Sequence, residues 1–243
     1  MSLKSASRWA ADASPGTVGG AAYAGRVTPP DELADLPYAD LLRPHTGPLA
    51  VEGDYDTVHF DRLAFEDEAA NGSRFLECAV TDCTFTDTTL RRSRINDLWA
   101  TGSRFTGVSL AETDWLDSSL TGCSLAGVEA FGAVLRRVTF RRCKLDSVNL
   151  RATALHDVVF EDCVLRDVDF GEAKLNGVTF PGSGIERARL GRATLKKADL
   201  RGAVAIDLAD GYESLRGAVI SSSQLLDLAP ALAQTLGITV KDR

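Results

Sequence analysis

No run of 18 or more apolar residues occurs anywhere in the 243-residue chain, which argues against a membrane-spanning helix. The N-terminus lacks the charged-then-apolar layout of a secretory signal, so the expected compartment is the cytoplasm. Histidine is scarce. His45, His59 and His156 are the only three, and none has a cysteine or second histidine at metal-ligand spacing. GxGxxG, a phosphate-binding P-loop and a nucleophile elbow are all missing. A basic excess is missing too: the net charge is −7 and the pI about 5.1, which argues against a general nucleic-acid binder. These absences point away from an enzyme, a cofactor, a metal site, and direct contact with nucleic acid or membrane.

What the chain does have is a period. From Phe60 to Leu200 every fifth residue is apolar, through Phe85, Phe105, Trp115, Leu135, Phe160 and Leu175, for 29 positions in a chain that is 44% hydrophobic. Chance gives roughly one in 10¹⁰ for such a run in one phase. Five is neither the 3.6 of an amphipathic helix nor the 2.0 of a flat strand, so it requires a wall that turns a corner every five residues. Two residues before each large residue (position i) sits a small or β-branched one, as at Val108, Val128, Cys143, Val158 and Ala193. Side chains alternate along extended chain, so i and i−2 point inward, i−1 points outward, and i+1 with i+2 make the corner. Only Glu68 clearly breaks the small-residue rule.

The number of sides follows from self-comparison, since stacked coils place like over like. At a lag of 20 residues the inward positions match in 19 of 50 pairs, against 8 of 52 at a lag of 15. Ladders such as Val108/Val128/Val148/Val168, Cys123/Cys143/Cys163 and Phe140/Phe160/Phe180 run at that lag. Each coil therefore has four sides. Ala198-Asp199-Leu200-Arg201-Gly202 matches the consensus A(D/N)LXX, and Val148-Asn149-Leu150-Arg151-Ala152 and Val168-Asp169-Phe170-Gly171-Glu172 lie close to it. On these residues the chain resembles the pentapeptide-repeat proteins over about 145 to 165 positions. That resemblance implies a right-handed quadrilateral parallel β-helix. It also implies two activities known in the family: some members mimic duplex DNA, bind DNA gyrase or topoisomerase IV and confer resistance to quinolones or natural gyrase poisons, and some pair through their C-terminal ends.

The expected organisation is an N-terminal extension with cap and linker over 1–54, a solenoid of about eight coils over 55–220, and a C-terminal helical cap or dimerisation element over 221–243. At ~4.8 Å per coil the solenoid is roughly 40 Å long. Residues 1–28 show no period. Thr28-Pro29-Pro30-Asp31-Glu32 carries helix-start signals, with Leu33, Leu36, Leu41 and Leu42 as an apolar side, and Pro44 to Gly53 reads as a linker. Glu66 to Gly72 keeps the count but predicts a loosened or bulged corner, with Glu66, Asp67 and Glu68 as a candidate acidic loop. The pattern falters through Ala205 and Asp210 and returns at Leu215 and Ile220, so the last coil is expected to be distorted. Leu225, Leu228, Leu232 and Leu236 form a helical stripe that Gly237 should stop and Pro230 should kink or split.

All five cysteines, Cys78, Cys83, Cys123, Cys143 and Cys163, fall at i−2 and read as reduced core thiols. Charge is uneven. Asp56 to Glu129 carries 13 acids and 6 arginines, Ala130 to Ile220 carries 12 acids and 15 bases. Asp97, Asp117, Arg137 and Asp157 share one outward line and Arg142 lies beside Asp162, so neighbouring coils should form surface ion pairs. Arg136, Arg137, Arg141, Arg142 and Lys144 form a candidate partner-docking patch. The leading functional expectation is a non-enzymatic scaffold for a protein partner; the alternative is the gyrase-binding DNA mimic, and a homodimer through the C-terminal cap fits either.

Overall fold

A computed structural model describes residues 30–241. The stretch 1–28 and its missing period therefore lie outside the described residues, as do Thr28 and Pro29 of the helix-start signal. Two compact units are distinguished, one ending at Leu41 and one from Leu42 onward. In the first, the expected helix is replaced by two short 3-10 turns, Leu33–Asp35 and Ala39–Leu41. Pro37 separates them, and a proline in that place has no N–H with which to carry a helix through.

The second unit is a parallel β-solenoid whose coils close after twenty residues. One sheet of eight strands runs from Asp54–Asp56 to Thr194–Lys196, a second of seven from Arg43–Pro44 to Val159–Glu161, and a third of eight from Ala64–Glu66 to Ala205–Asp210. The fourth side is held by single parallel bridges, Ala69↔Thr89↔Ser109↔Glu129↔Asn149↔Asp169↔Arg189. Register is strict: Phe85↔Phe105, Trp115↔Leu135 and Phe140↔Phe160 pair directly. Like therefore lies over like, and rings stack 5.0 Å apart at Phe85–Phe105 and Phe140–Phe160. Phe60, Phe160 and Leu155 are wholly enclosed, and all five cysteines are free and buried.

Corners have one conformation. From Glu52 to Lys197 the residue at i+2 always has φ between 49° and 73°, and most of these residues are not glycine. Left-handed backbone disfavours L-residues, by about 1–2 kcal/mol each. The offset is a hydrogen bond: from Glu52 to Gly182 the N–H at each such corner donates to a carbonyl of the next coil, as from Asp82 to Thr101 (3.0 Å) and Asp157 to Asn176 (2.9 Å). The inward i−2 side chains complete the wiring where they carry a polar atom. Ser183 Oγ donates to the Phe160 carbonyl (2.9 Å) and accepts from the Cys163 N–H (2.8 Å), and Cys143 Sγ reaches the Leu120 carbonyl (3.3 Å). Cysteine at this position is thus a small buried residue that also bonds backbone. Burial pushes the Cys78 thiol up to about 11, which keeps it protonated.

Several expectations fail at the ends. Glu66 to Gly72 is not bulged: Phe65↔Phe85 and Ala69↔Thr89 hold register and Ala70 is fully buried. Glu68 fits because its carboxylate, half-buried at the first coil, accepts the Leu49 N–H at 2.6 Å. Pro44 to Gly53 is not a free linker. Arg43–Pro44 pairs with the second sheet, Leu49 joins the core, and the His45 ring lies 4.7 Å from Phe60. The last coil is distorted as expected: Gly184↔Ala205 and Arg189↔Asp210 are offset by 21 residues but Ala188↔Leu208 by 20, so the register shifts twice along this strand pair. The C-terminal helix, Ser222–Thr235, is single and contains Pro230 without splitting. Ser221 and Gln224 form a capping box at its start, and Gly237 has φ 69° just beyond its end. Its stripe is mostly outward: Leu228 is buried, but Leu225 and Leu236 are exposed.

Candidate interaction surface

The interior leaves little room for chemistry. Inward positions are filled by Phe, Leu, Val and small residues, and among the described residues no three metal-ligating side chains converge on one point where they could hold an ion together. A surface depression of about 320 Å³ lies at the corner holding Ser147, Asn149, Asp167, Asp169 and Arg189. Its carboxylates are already engaged: Asp167 accepts from Arg187 at 3.0 Å, and Asp169 from the Gly171 N–H at 2.8 Å.

What the solenoid does present is an ordered set of charges. Because outward residues repeat at twenty, an acid on one coil meets a base on the next. Arg74 grips Asp54 with two bonds of 2.8 and 3.0 Å, and Arg137 grips Asp117 with 2.6 and 2.8 Å. Arg166 reaches Glu186 at 3.0 Å, and Glu172 receives Arg151 and Arg192. The Arg74 hydrogen bond lowers the carboxyl of exposed Asp54, and the Arg201 bond does the same to Asp199. Arg137 thus takes Asp117 from the acidic line it shares with Asp97 and Asp157. The expected Arg142–Asp162 pair is absent among the described residues. Asp162 instead lies against Gly182, which has no side chain to displace it.

The sequence-predicted residues are distributed rather than gathered. Arg136 ends a strand of the first sheet and pairs with Asp114 at 2.7 Å; Arg137 occupies the corner after it. Arg141 ends a strand of the second sheet, buried, with Nε 3.3 Å from Glu161; Arg142 takes the next corner. Lys144 begins a strand of the third sheet. The five therefore wrap around one coil. Arg142 and Lys144 are the exposed members that no acid neutralises among the described residues. Of the acidic group, Glu66 and Asp67 are exposed, whereas Glu68 turns inward. On the second sheet the outward positions Ala79, Trp99 and Ser119 are buried, so the exposed outward residues belong mainly to the first and third sheets and the corners.

Two features had no signal in a period count. Gln224 donates through Nε2 to the Leu200 and Ala203 carbonyls (2.8 and 3.0 Å), tying the helix to the last coil. The helix leaves Leu226 exposed beside Leu225, and Ile238 and Val240 follow it, also exposed.

Comparison with known proteins places residues 113–190 in a pentapeptide repeat region. No curated protein matches the chain. Among solved structures, full-length QnrB1, described as a plasmid-mediated fluoroquinolone resistance protein, is 20% identical, with a TM-score of 0.37 over 74% of this chain and 100% of its own. HetL, a pentapeptide repeat protein involved in heterocyst differentiation regulation in the cyanobacterium Nostoc, is 20% identical, with a TM-score of 0.35 over 72% and 93%. A thylakoid-lumen pentapeptide repeat protein of Arabidopsis thaliana is 20% identical, with a TM-score of 0.32 over 54% and 73%.

Proposed function

We propose that this chain, in which residues 113–190 match a pentapeptide repeat region, is a non-enzymatic scaffold that binds a protein partner through the exposed sides of its β-solenoid. The observation that carries this reading is the division of the molecule into a filled interior and a regularly charged exterior. Rigid solenoids act through extended surfaces of this kind. Arg142 and Lys144, exposed and free of an ion pair among the described residues, are the docking cations. An acidic partner gains most from cations that need not first be released from a neighbour. The test is binding of the partner recovered from the source cells. Arg142→Glu with Lys144→Glu should weaken it at least about tenfold, and unchanged binding removes this patch.

Mimicry of duplex DNA toward gyrase is the alternative, and it wants an unbroken negative surface. Arg74, Arg137, Arg166 and Arg187 each interrupt such a surface by pairing with an acid of an adjacent coil. A supercoiling assay separates the two: inhibition of gyrase, or its protection from a quinolone, at micromolar protein would favour the mimic. The exposed leucines of the C-terminal helix favour pairing of two copies through that end. Sedimentation of Leu226→Lys against the parent tests this, and an unchanged mass rules the helix out as the contact.

A further inference from the structure

One inward ladder places three thiols on consecutive coils. It reads Leu63, Cys83, Ser103, Cys123, Cys143, Cys163, Ser183 and Ala203. The strands that follow the three cysteines pair in strict register, Ser124↔Lys144↔Val164, and the Lys144 and Val164 N–H groups bond to the Cys123 and Cys143 carbonyls at 2.9 and 3.0 Å. Cys143 and Cys163 hold the same orientation. The sulfur of each meets a carbonyl 23 residues earlier (Leu120 at 3.3 Å, Phe140 at 3.4 Å) and one two residues earlier (Arg141 at 3.4 Å, Glu161 at 3.3 Å). Sulfurs so related are separated by the rise of one coil, ~4.8 Å.

That separation discriminates between two fates for a thiol pair. A disulfide needs Cβ atoms about 3.5–4.5 Å apart, less than the coil rise. A thiolate–metal–thiolate bridge with bonds of about 2.3 Å each spans about 4.6 Å when linear. We propose that Cys143, together with Cys123 or Cys163, is a two-coordinate site for a soft, thiol-seeking cation of the Cu(I), Ag(I) or Hg(II) class. Thiol ligands select such ions over hard ones. The surroundings are apolar and closed, so the filled site must be neutral. A monovalent cation displaces one proton and binds one thiolate with one thiol; a divalent cation displaces two protons and binds two thiolates. No electron is transferred, and the protons leave to solvent.

The ladder supplies its own controls. Cys83 has Leu63 and Ser103 as neighbours, and Cys78 stands in another ladder between Val58 and Leu98, so neither has a thiol one coil away. Serine fits this ladder, as Ser103 and Ser183 show by accepting the Cys83 and Cys163 N–H groups at 3.0 and 2.8 Å. The experiment is titration of the intact reduced protein with Hg(II), followed by ultraviolet thiolate-to-metal absorption, with circular dichroism reporting the fold. The parent should bind one Hg(II) per chain with its β signal intact. Cys143→Ser should weaken this at least about 100-fold, since it leaves two thiols two coils apart and removes the gain of joint ligation. Cys78→Ser and Cys83→Ser should bind as the parent, and Cys123→Ser and Cys163→Ser should each keep a site. Parent-like binding by Cys143→Ser, no binding by the folded chain, or binding that unfolds it would each overturn the proposal.

Discussion

The middle coils and the two end coils of the solenoid are stabilised by different means. In the middle, each rung is a copy of the one before: Phe140, Phe160 and Phe180 stack, and the corner N–H groups bond from coil to coil. At the N-terminal end no earlier coil precedes it among the described residues, and side chains take its place. Tyr55 Oη accepts the Ala50 N–H at 2.8 Å, Glu68 accepts that of Leu49, and His45 lies against Tyr55, Phe60 and Phe65. At the C-terminal end a helix does the work through Gln224. Repetition thus stabilises the interior of a solenoid, and individual polar side chains stabilise its ends.

The comparison is broken most severely at the centre. Phe160→Ala removes a fully buried ring from a stack and should cost about 3–5 kcal/mol in denaturant unfolding; a loss below about 1 kcal/mol would mean that neighbouring rungs can collapse into the gap. Gln224→Ala removes half of the capping box and both bonds to the last coil, and should cost about 1–2 kcal/mol. Its hydrogen exchange should quicken in the last coil and helix before the middle coils respond. Two corners sharpen the contrast further. Gly102 and Gly122 share left-handed φ, but a Cβ on Gly102 would run into the Asp82 carboxylate, while one on Gly122 meets open space. Gly122→Ala should therefore cost about 1 kcal/mol, and Gly102→Ala measurably more in the same melt. The smallest effect belongs to the surface. Arg166→Ala breaks a pair with Glu186 that is exposed on both sides and should change stability by under about 1 kcal/mol, less still in high salt.

The same division explains what could be read before the structure was known. The period of five, the closure at twenty and the inward cysteines are statistical properties of many rungs, so they survive any one exception. Glu68 could be recognised as an exception but not interpreted, because its partner is a backbone N–H at Leu49, nineteen residues earlier and outside the repeat. Pro44 and His45 read as linker for the same reason: their partners His59 and Phe60 are visible only once the first coil exists. The Arg136 to Lys144 cluster shows the opposite failure. Adjacency in sequence suggested one patch, but nine residues at this period turn two corners and face three ways. Pro230 misled because it lies in a helix whose exposed side tolerates a lost backbone bond.

The uniform left-handed corner limits how this molecule can change length. Inserting or deleting one residue between Glu52 and Lys197 would swing every later side chain through the wall, turning phenylalanines to water and arginines to the interior. The terminal turn alone hosts such an irregularity, beside Ala205. Growth is therefore restricted to whole multiples of five residues, one side at a time, and a footprint along any one side can be lengthened only by full twenty-residue coils, in increments of ~4.8 Å.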